Sequence, residues 1–175
     1  SRVGSFVFAA GNQTLEGVVG EMLRQKKLTL SVAESCTGGL IGNLLTNVPG
    51  SSGYFLGGVI VYSNQAKEDL IGVSAKTLEA HGAVSDPVAR EMAEGVRREL
   101  KADLGLAVTG IAGPEGGTEE KPVGTVHIGL AFRNETFSGR YRFWGNREQN
   151  KVNSAFMALD WVRRVLHGNP FLPGL

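Results

Sequence analysis

Two rhythms alternate along the chain: short unbroken apolar runs, and stretches where apolar residues return every three or four positions. Val3–Ala9 reads as a linker or edge strand ending at Gly11. Leu15, Val18, Val19, Met22 and Leu23 share one helical face, with Asn12 or Thr14 able to cap it. Leu28–Ala33 is an apolar run that predicts a buried strand, and Leu40, Ile41, Leu44 and Leu45 predict a helix reaching Asn47. Pro49-Gly50-Ser51-Ser52-Gly53 is a loop. Phe55–Tyr62 predicts a second strand, Asn64 a cap for a short helix through Lys67 to Ile71, and Ser74 the start of another ending near His81-Gly82. Ser85-Asp86-Pro87 opens a longer helix, with Val88, Met92, Val96 and Leu100 on one face. Leu104–Val108 is a third apolar strand, followed by the glycine-rich loop Thr109–Gly117. Thr125–Phe132 and Thr136–Phe143 pair as a hairpin across Arg133-Asn134-Glu135. Asn146 caps a last helix with Val152, Ala155, Phe156, Leu159, Val162 and Leu166 inward, and Pro170 and Pro173 end it.

Strands alternating with helices argue for α/β layers around a mostly parallel sheet, and the hairpin makes that sheet mixed. Ligands of such sheets sit outside the carboxyl ends of the strands. Three polar corners follow three strands: Glu34–Gly39, Ser63–Lys67 and Thr109–Gly117. If those strands are parallel, the corners share one rim.

Composition narrows the class. The 175 residues suffice for one domain, 14–175, behind a linker or edge segment at 1–13. A 42% apolar and 20% charged share is that of a globular protein. A net charge of +1, with Lys and Arg spread out, gives no nucleic-acid footprint. No apolar run reaches the roughly 20 residues that span a bilayer, so no membrane partner is expected. A single cysteine and no visible signal peptide fit a reducing, cytoplasmic setting. The chain opens without Met and runs straight into an apolar segment, which leaves open a C-terminal piece of a longer protein.

The richest chemistry lies in Glu34-Ser35-Cys36-Thr37-Gly38-Gly39, a polar corner between strand and helix. Free backbone N–H groups at a helix start can hold an oxyanion. Ser35 needs a base to become a nucleophile, and His81, His127 and His167 are poorly placed for it. Lysine can serve instead if its pKa is lowered. Lys67 is the candidate, with Tyr62, Ser63 and Asn64 beside it to orient it. The bland alternative is that Ser35 only caps a helix while Lys67 points to water. Cys36 is a rival nucleophile, or else a buried filler. Glu34 could bind a substrate amine or amide, or hold local backbone N–H groups. The loop Thr109–Gly117 could approach an anion but is not a Walker motif. Arg147 at the start of the last helix could clamp a phosphate or be a surface arginine. No His/Cys/Asp cluster has metal-ligand spacing.

Four motifs in this order, Ala33–Gly39, Val61–Lys67, Gly82–Ser85 and Val108–Pro114, resemble the CinA C-terminal domain family over about Thr14 to Leu166. The resemblance implies a three-layer α/β/α sandwich. It also implies a serine–lysine amidase that hydrolyses nicotinamide mononucleotide to nicotinate mononucleotide and ammonia, without metal or cofactor. It maps the catalytic pair onto Ser35 and Lys67, with Tyr62 matching a family tyrosine. Cys36, Thr37, Gly38 and Gly39 are the expected oxyanion and orienting positions. Glu34, Thr109, Gly110, Ala112, Gly113 and Arg147 are the expected substrate contacts, the phosphate lying against Thr109–Gly113 or Arg147. A homodimer and an upstream domain, joined through Phe6–Gly11, are the implied partners. The alternative is a non-catalytic module that binds a pyridine nucleotide or serves assembly; a buried Lys67 touching Ser35 fits the enzyme, and a solvent-facing one fits the binder.

Overall fold

The computed structural model describes residues 13–168. The elements run α1 (Leu15–Lys26), β1 (Leu30–Glu34), α2 (Leu40–Thr46), a short 3₁₀ turn (Ser51–Gly53), β2 (Phe55–Ile60), α3 (Asn64–Ile71), α4 (Ala75–His81), α5 (Asp86–Leu100), β3 (Leu104–Gly110), β4 (Thr125–Phe132), β5 (Glu135–Arg142) and α6 (Arg147–Leu166). The sheet order is β2-β1-β3-β4-β5. β1 pairs in parallel with both β2 and β3, and β4 is antiparallel to its two neighbours. Four of the five strands therefore point the same way, which is the mixed, mostly parallel sheet that the pattern predicts.

Each face of the sheet carries a helical layer. Leu30, Val32, Leu104, Leu106, Val108 and Ile128 pack against Leu15, Val19 and Leu23 of α1, Ile41 and Leu45 of α2, and Ala155, Leu159 and Val162 of α6. Ala33, Ala107 and Ala131 face Ile71 of α3, Leu78 of α4, and Val88, Met92 and Val96 of α5. The second face is built from small residues because α5 lies almost on the strands. A Cβ at Gly105 would land on the Ala93 carbonyl oxygen, and one at Gly129 on that of Ala89. These helix–sheet contacts leave room for hydrogen alone.

Local signals set most boundaries. Thr14 caps α1 through the Gly17 N–H, and Asn146 and Gln149 close a capping box on α6. Pro87 occupies the first turn of α5. Two expectations need correction. Ser63, not Asn64, caps α3, its hydroxyl accepting from the Ala66 N–H at 3.0 Å. Phe156 is 40% exposed rather than inward. Ser154, Ala158 and Trp161 fill the inner positions, and the Trp161 indole donates to the Tyr141 hydroxyl at 2.7 Å. The expected segment Val3–Ala9, the Asn12 cap, and Pro170 and Pro173 lie outside the described residues. No helix among the described residues is long and apolar enough to cross a membrane.

The parallel trio decides where chemistry can happen. In register, Glu34 stands beside Ile60 on one side and Val108 on the other. The carboxyl ends of β1 and β2 are thus level, β3 runs on to Gly110, and the segments that follow them converge.

Candidate active site

Ser35 is pinned at the end of β1 from both sides. Its N–H donates to the Val108 carbonyl at 3.0 Å, and the preceding Glu34 carbonyl accepts from the Val61 N–H at 2.8 Å. Lys67, in the first turns of α3, folds back under the chain that leads into its own helix. Its Nζ donates to the Val61 carbonyl at 2.8 Å, to those of Tyr62 and Ser63 at 3.3 and 3.4 Å, and to Ser35 Oγ at 3.3 Å. The lysine is 1% exposed and the serine 8%. Loss of water around the amine pulls the Lys67 pKa below the ordinary lysine range. Its partners are neutral oxygens, so no carboxylate holds it in the charged state.

Cys36 lines the same cavity, but burial pushes its thiol up to about 12, with the nearby Glu34 charge adding to the rise. A thiol so protonated is a poor nucleophile at neutral pH. Of the two candidates in adjacent positions, only Ser35 is in hydrogen-bond contact with Lys67.

Glu34 goes to the second of its two expected uses. It is 2% exposed, one carboxylate oxygen accepting from the N–H groups of Gly39 and Ile41 at 3.0 and 3.1 Å, the other from Gly42 at 2.8 Å. It anchors the start of α2, with both carboxylate oxygens engaged by N–H groups there. The oxyanion expectation narrows for a related reason. The Gly39 N–H is taken by Glu34, and the Gly38 N–H donates to the Ser35 carbonyl at 3.2 Å. Among the described residues, the Thr37 backbone N–H has no protein acceptor, and the Cys36 N–H meets only its own thiol. Gly38 and Gly39 serve through shape instead: both have positive φ, 64° and 96°, and turn the chain sharply from β1 into α2.

The remaining expected residues form the far wall. Ser35, Cys36, Tyr62, Lys67, Thr109, Gly110, Ala112 and Arg147 surround a cavity of about 210 Å³. Thr109 is buried and its hydroxyl donates to the Ala83 carbonyl at 2.8 Å. Gly110 is required by close approach, since a Cβ there would sit 3.1 Å from Cys36 Sγ and 2.7 Å from a Val126 methyl. The carbonyls of Ala112 and Gly113 receive Asn150 Nδ2 at 3.0 Å and an Arg147 guanidinium nitrogen at 2.7 Å. The other Arg147 nitrogen reaches the exposed Tyr62 hydroxyl at 3.1 Å. Arg147 thus bridges two walls of the cavity.

Sequence reasoning missed several neighbours. Ala83 and Val84, within the Gly82–Ser85 motif but given no role there, complete the small cavity from the loop after α4. Beside it, sharing Arg147, lies a wider cavity of about 560 Å³ that includes Thr37, Gly38, Asn43, Glu148, Lys151 and Val152. Lys151 follows Arg147 by one helical turn, a spacing that could have drawn attention to it.

The comparisons agree with this architecture. The CinA C-terminal domain family matches residues 12–166. The chain is 50% identical over 165 residues to a CinA-like protein of Geotalea uraniireducens, covering 94% of this chain and 39% of that protein. It is 55% identical over 161 residues to a CinA-like protein of Syntrophus aciditrophicus, covering 91% of this chain and 38% of that one. The chain therefore spans about two fifths of the length of these curated relatives. Among solved structures, the competence damage-inducible protein A (ComA) of Klebsiella pneumoniae superposes with a TM-score of 0.84 at 34% identity, covering 87% of this chain and 96% of that one. On the family match, the relatives and the shared fold, the chain belongs to the CinA C-terminal domain family.

Proposed function

We propose that the chain hydrolyses the carboxamide of nicotinamide mononucleotide to nicotinate mononucleotide and ammonia, with Ser35 as nucleophile and Lys67 as its base. The observation that carries this reading is the buried contact of 3.3 Å between Lys67 Nζ and Ser35 Oγ. A neutral amine keeps two N–H donors for the carbonyls around it and turns its lone pair to the serine hydroxyl. Burial without a counter-charge is what makes the neutral form accessible.

In the first half-reaction Ser35 Oγ bonds to the amide carbon while its proton passes to Lys67. The amide oxygen becomes an oxyanion, for which the backbone N–H groups of Cys36 and Thr37 are the donors. Collapse breaks the C–N bond, and Lys67 returns the proton to the departing ammonia. In the second half-reaction water gives a proton to Lys67 and its oxygen to the ester carbon. The ester C–O bond breaks, Lys67 hands its proton to Ser35 Oγ, and the product acid loses its remaining proton to solvent and leaves as the carboxylate. The three backbone carbonyls fix Lys67 throughout, doing the orienting that a carboxylate does for histidine in a triad.

Ammonia release from nicotinamide mononucleotide tests the reading. Wild type is expected to release ammonia and Ser35→Ala to lose that activity with its fold intact. Absence of release by folded wild type overturns it in favour of a module that binds the nucleotide without turnover.

A further inference from the structure

Thr109 and His127 stand opposite each other in the pairing of β3 with β4. By strand alternation they share the α5 face of the sheet with Ala107, Gly129 and Ala131. His127 is buried, an imidazole on a strand face that otherwise turns glycine and alanine toward α5. Its Nδ1 lies 2.9 Å from Asp86 Oδ1, in the first turn of α5. A carboxylate only accepts, so the hydrogen sits on Nδ1. Burial pulls the ring's pKa below the ordinary histidine range; the bond to Asp86 opposes that fall, while Arg140 and Lys121 add to it. A neutral ring therefore donates this bond at neutral pH. The two cross-strand neighbours bracket one short segment. Thr109 holds the Ala83 carbonyl at 2.8 Å, and His127 holds Asp86. Between these ties lie Val84 and Ser85, whose hydroxyl turns back to the Gly82 carbonyl at 2.8 Å. Among the described residues, no other side-chain hydrogen bond ties the stretch from Val84 to Asp86 to the sheet. Ala83 and Val84 face the cavity of Ser35 and Lys67, whereas His127 and Asp86 lie behind that wall.

We propose that His127 and Asp86 are positioning residues for the Ser35–Lys67 cavity, their bond fixing the Ala83–Val84 wall and so setting how tightly the cavity grips its ligand. The inference rests on the proposed function only for the identity of that ligand. Without the bond, the wall is tied to the sheet at Ala83 alone and is free to swing about Thr109. In a cavity of about 210 Å³, an acyl group seated on Ser35 is bounded by this wall. Ala83 and Val84 offer it only shape, which serves the bound amide and the transition state alike. Losing such a contact raises KM and leaves kcat in place. The bond itself needs a neutral donor at the Nδ1 position and an acceptor oxygen at position 86. An asparagine amide can supply either one.

Two readouts test this: the backbone order parameters of Ala83 and Val84 by NMR relaxation, and the KM and kcat of ammonia release from nicotinamide mononucleotide. In His127→Leu the order parameters should fall from about 0.85 to about 0.6 or below. KM should rise about fivefold, the scale of one neutral hydrogen bond, with kcat within about threefold of wild type. Asp86→Ala should reproduce both changes from the half-exposed end of the bond, and it carries the test where His127→Leu does not fold. His127→Asn and Asp86→Asn should keep wild-type values in both readouts. Leu23→Ala, in the core on the opposite face of the sheet, should lower the urea midpoint and move neither. Unchanged order parameters in His127→Leu and Asp86→Ala overturn the proposal, as does failure of both asparagine variants. Falling order parameters with no ammonia release by folded wild type would leave the positioning role standing and remove the amidase reading. Ammonia release whose KM ignores both residues would do the reverse.

Discussion

Lys67 Nζ lies 3.3 Å from Ser35 Oγ, with both side chains buried and only neutral oxygens around the amine. The contact spans two β–α corners, and it exists because β1 and β2 run in parallel and end level. Removing either partner should leave the scaffold standing. Ser35→Ala and Lys67→Met are each expected to lower kcat by about 10³-fold or more. Circular dichroism should show unchanged secondary structure in both. The two losses should not add in the double variant, because the residues act as a unit; additive losses would separate their roles.

The pH profile follows from the direction of the Lys67 shift. The proposed mechanism requires the neutral amine, and burial lowers its pKa. Activity should therefore rise with pH on a limb centred below the ordinary lysine value of about 10.4. The same shift enters stability with a fixed sign. Between the folded and unfolded pKa values the unfolded chain binds the extra proton, so wild type gains stability as pH rises through that window. Lys67→Met lacks this gain. Chemical denaturation at several alkaline pH values should show the difference between the two proteins moving in favour of wild type.

Cys36 should be dispensable for chemistry. With its thiol held up to about 12, alkylation by iodoacetamide at pH 7.5 should be far slower in the native chain than in urea. Cys36→Ala should keep activity within about tenfold, since it removes a small buried filler beside Ser35 rather than a nucleophile. Rapid labelling that tracks loss of activity would contradict this.

Glu34 gives a stability prediction rather than a catalytic one. Glu34→Ala strips the acceptor from three N–H groups at the start of α2. Unpaired donors and a lost cap together should cost about 2–4 kcal/mol, read as a lower urea midpoint. Gly129→Ala should be worse, because its methyl would collide with the Ala89 backbone of α5 and push that helix from the sheet. A Gly129→Ala protein as stable as wild type would contradict the close packing of α5.

Much of this architecture was legible in the sequence because its signals are local. Apolar runs mark β1 and β3, Asn146 marks the start of α6, and Pro87 marks α5. Phe156 was misplaced because helical period alone does not fix which arc of α6 meets α1 and the sheet; Trp161, tied to Tyr141 on β5, takes the inner position. Glu34 could be read two ways, since the three N–H groups it holds exist only once α2 has formed. Lys151 and Asn43 were not found, because no motif links a residue on α2 to one on α6. Their cavity comes from the two helices lying side by side on the same face of the sheet. The convergence of Ser35 and Lys67 could be stated only on the condition that the strands were parallel, and the register of β1 with β2 meets that condition.

The most direct measurement of the proposed chemistry is the identity of the covalent intermediate. Wild type turning over nicotinamide mononucleotide is quenched in acid, digested and analysed by peptide mass spectrometry. The serine–lysine mechanism predicts a nicotinate mononucleotide ester on Ser35, absent from Ser35→Ala. An adduct on Cys36, or ammonia release by Ser35→Ala at the wild-type rate, would contradict it.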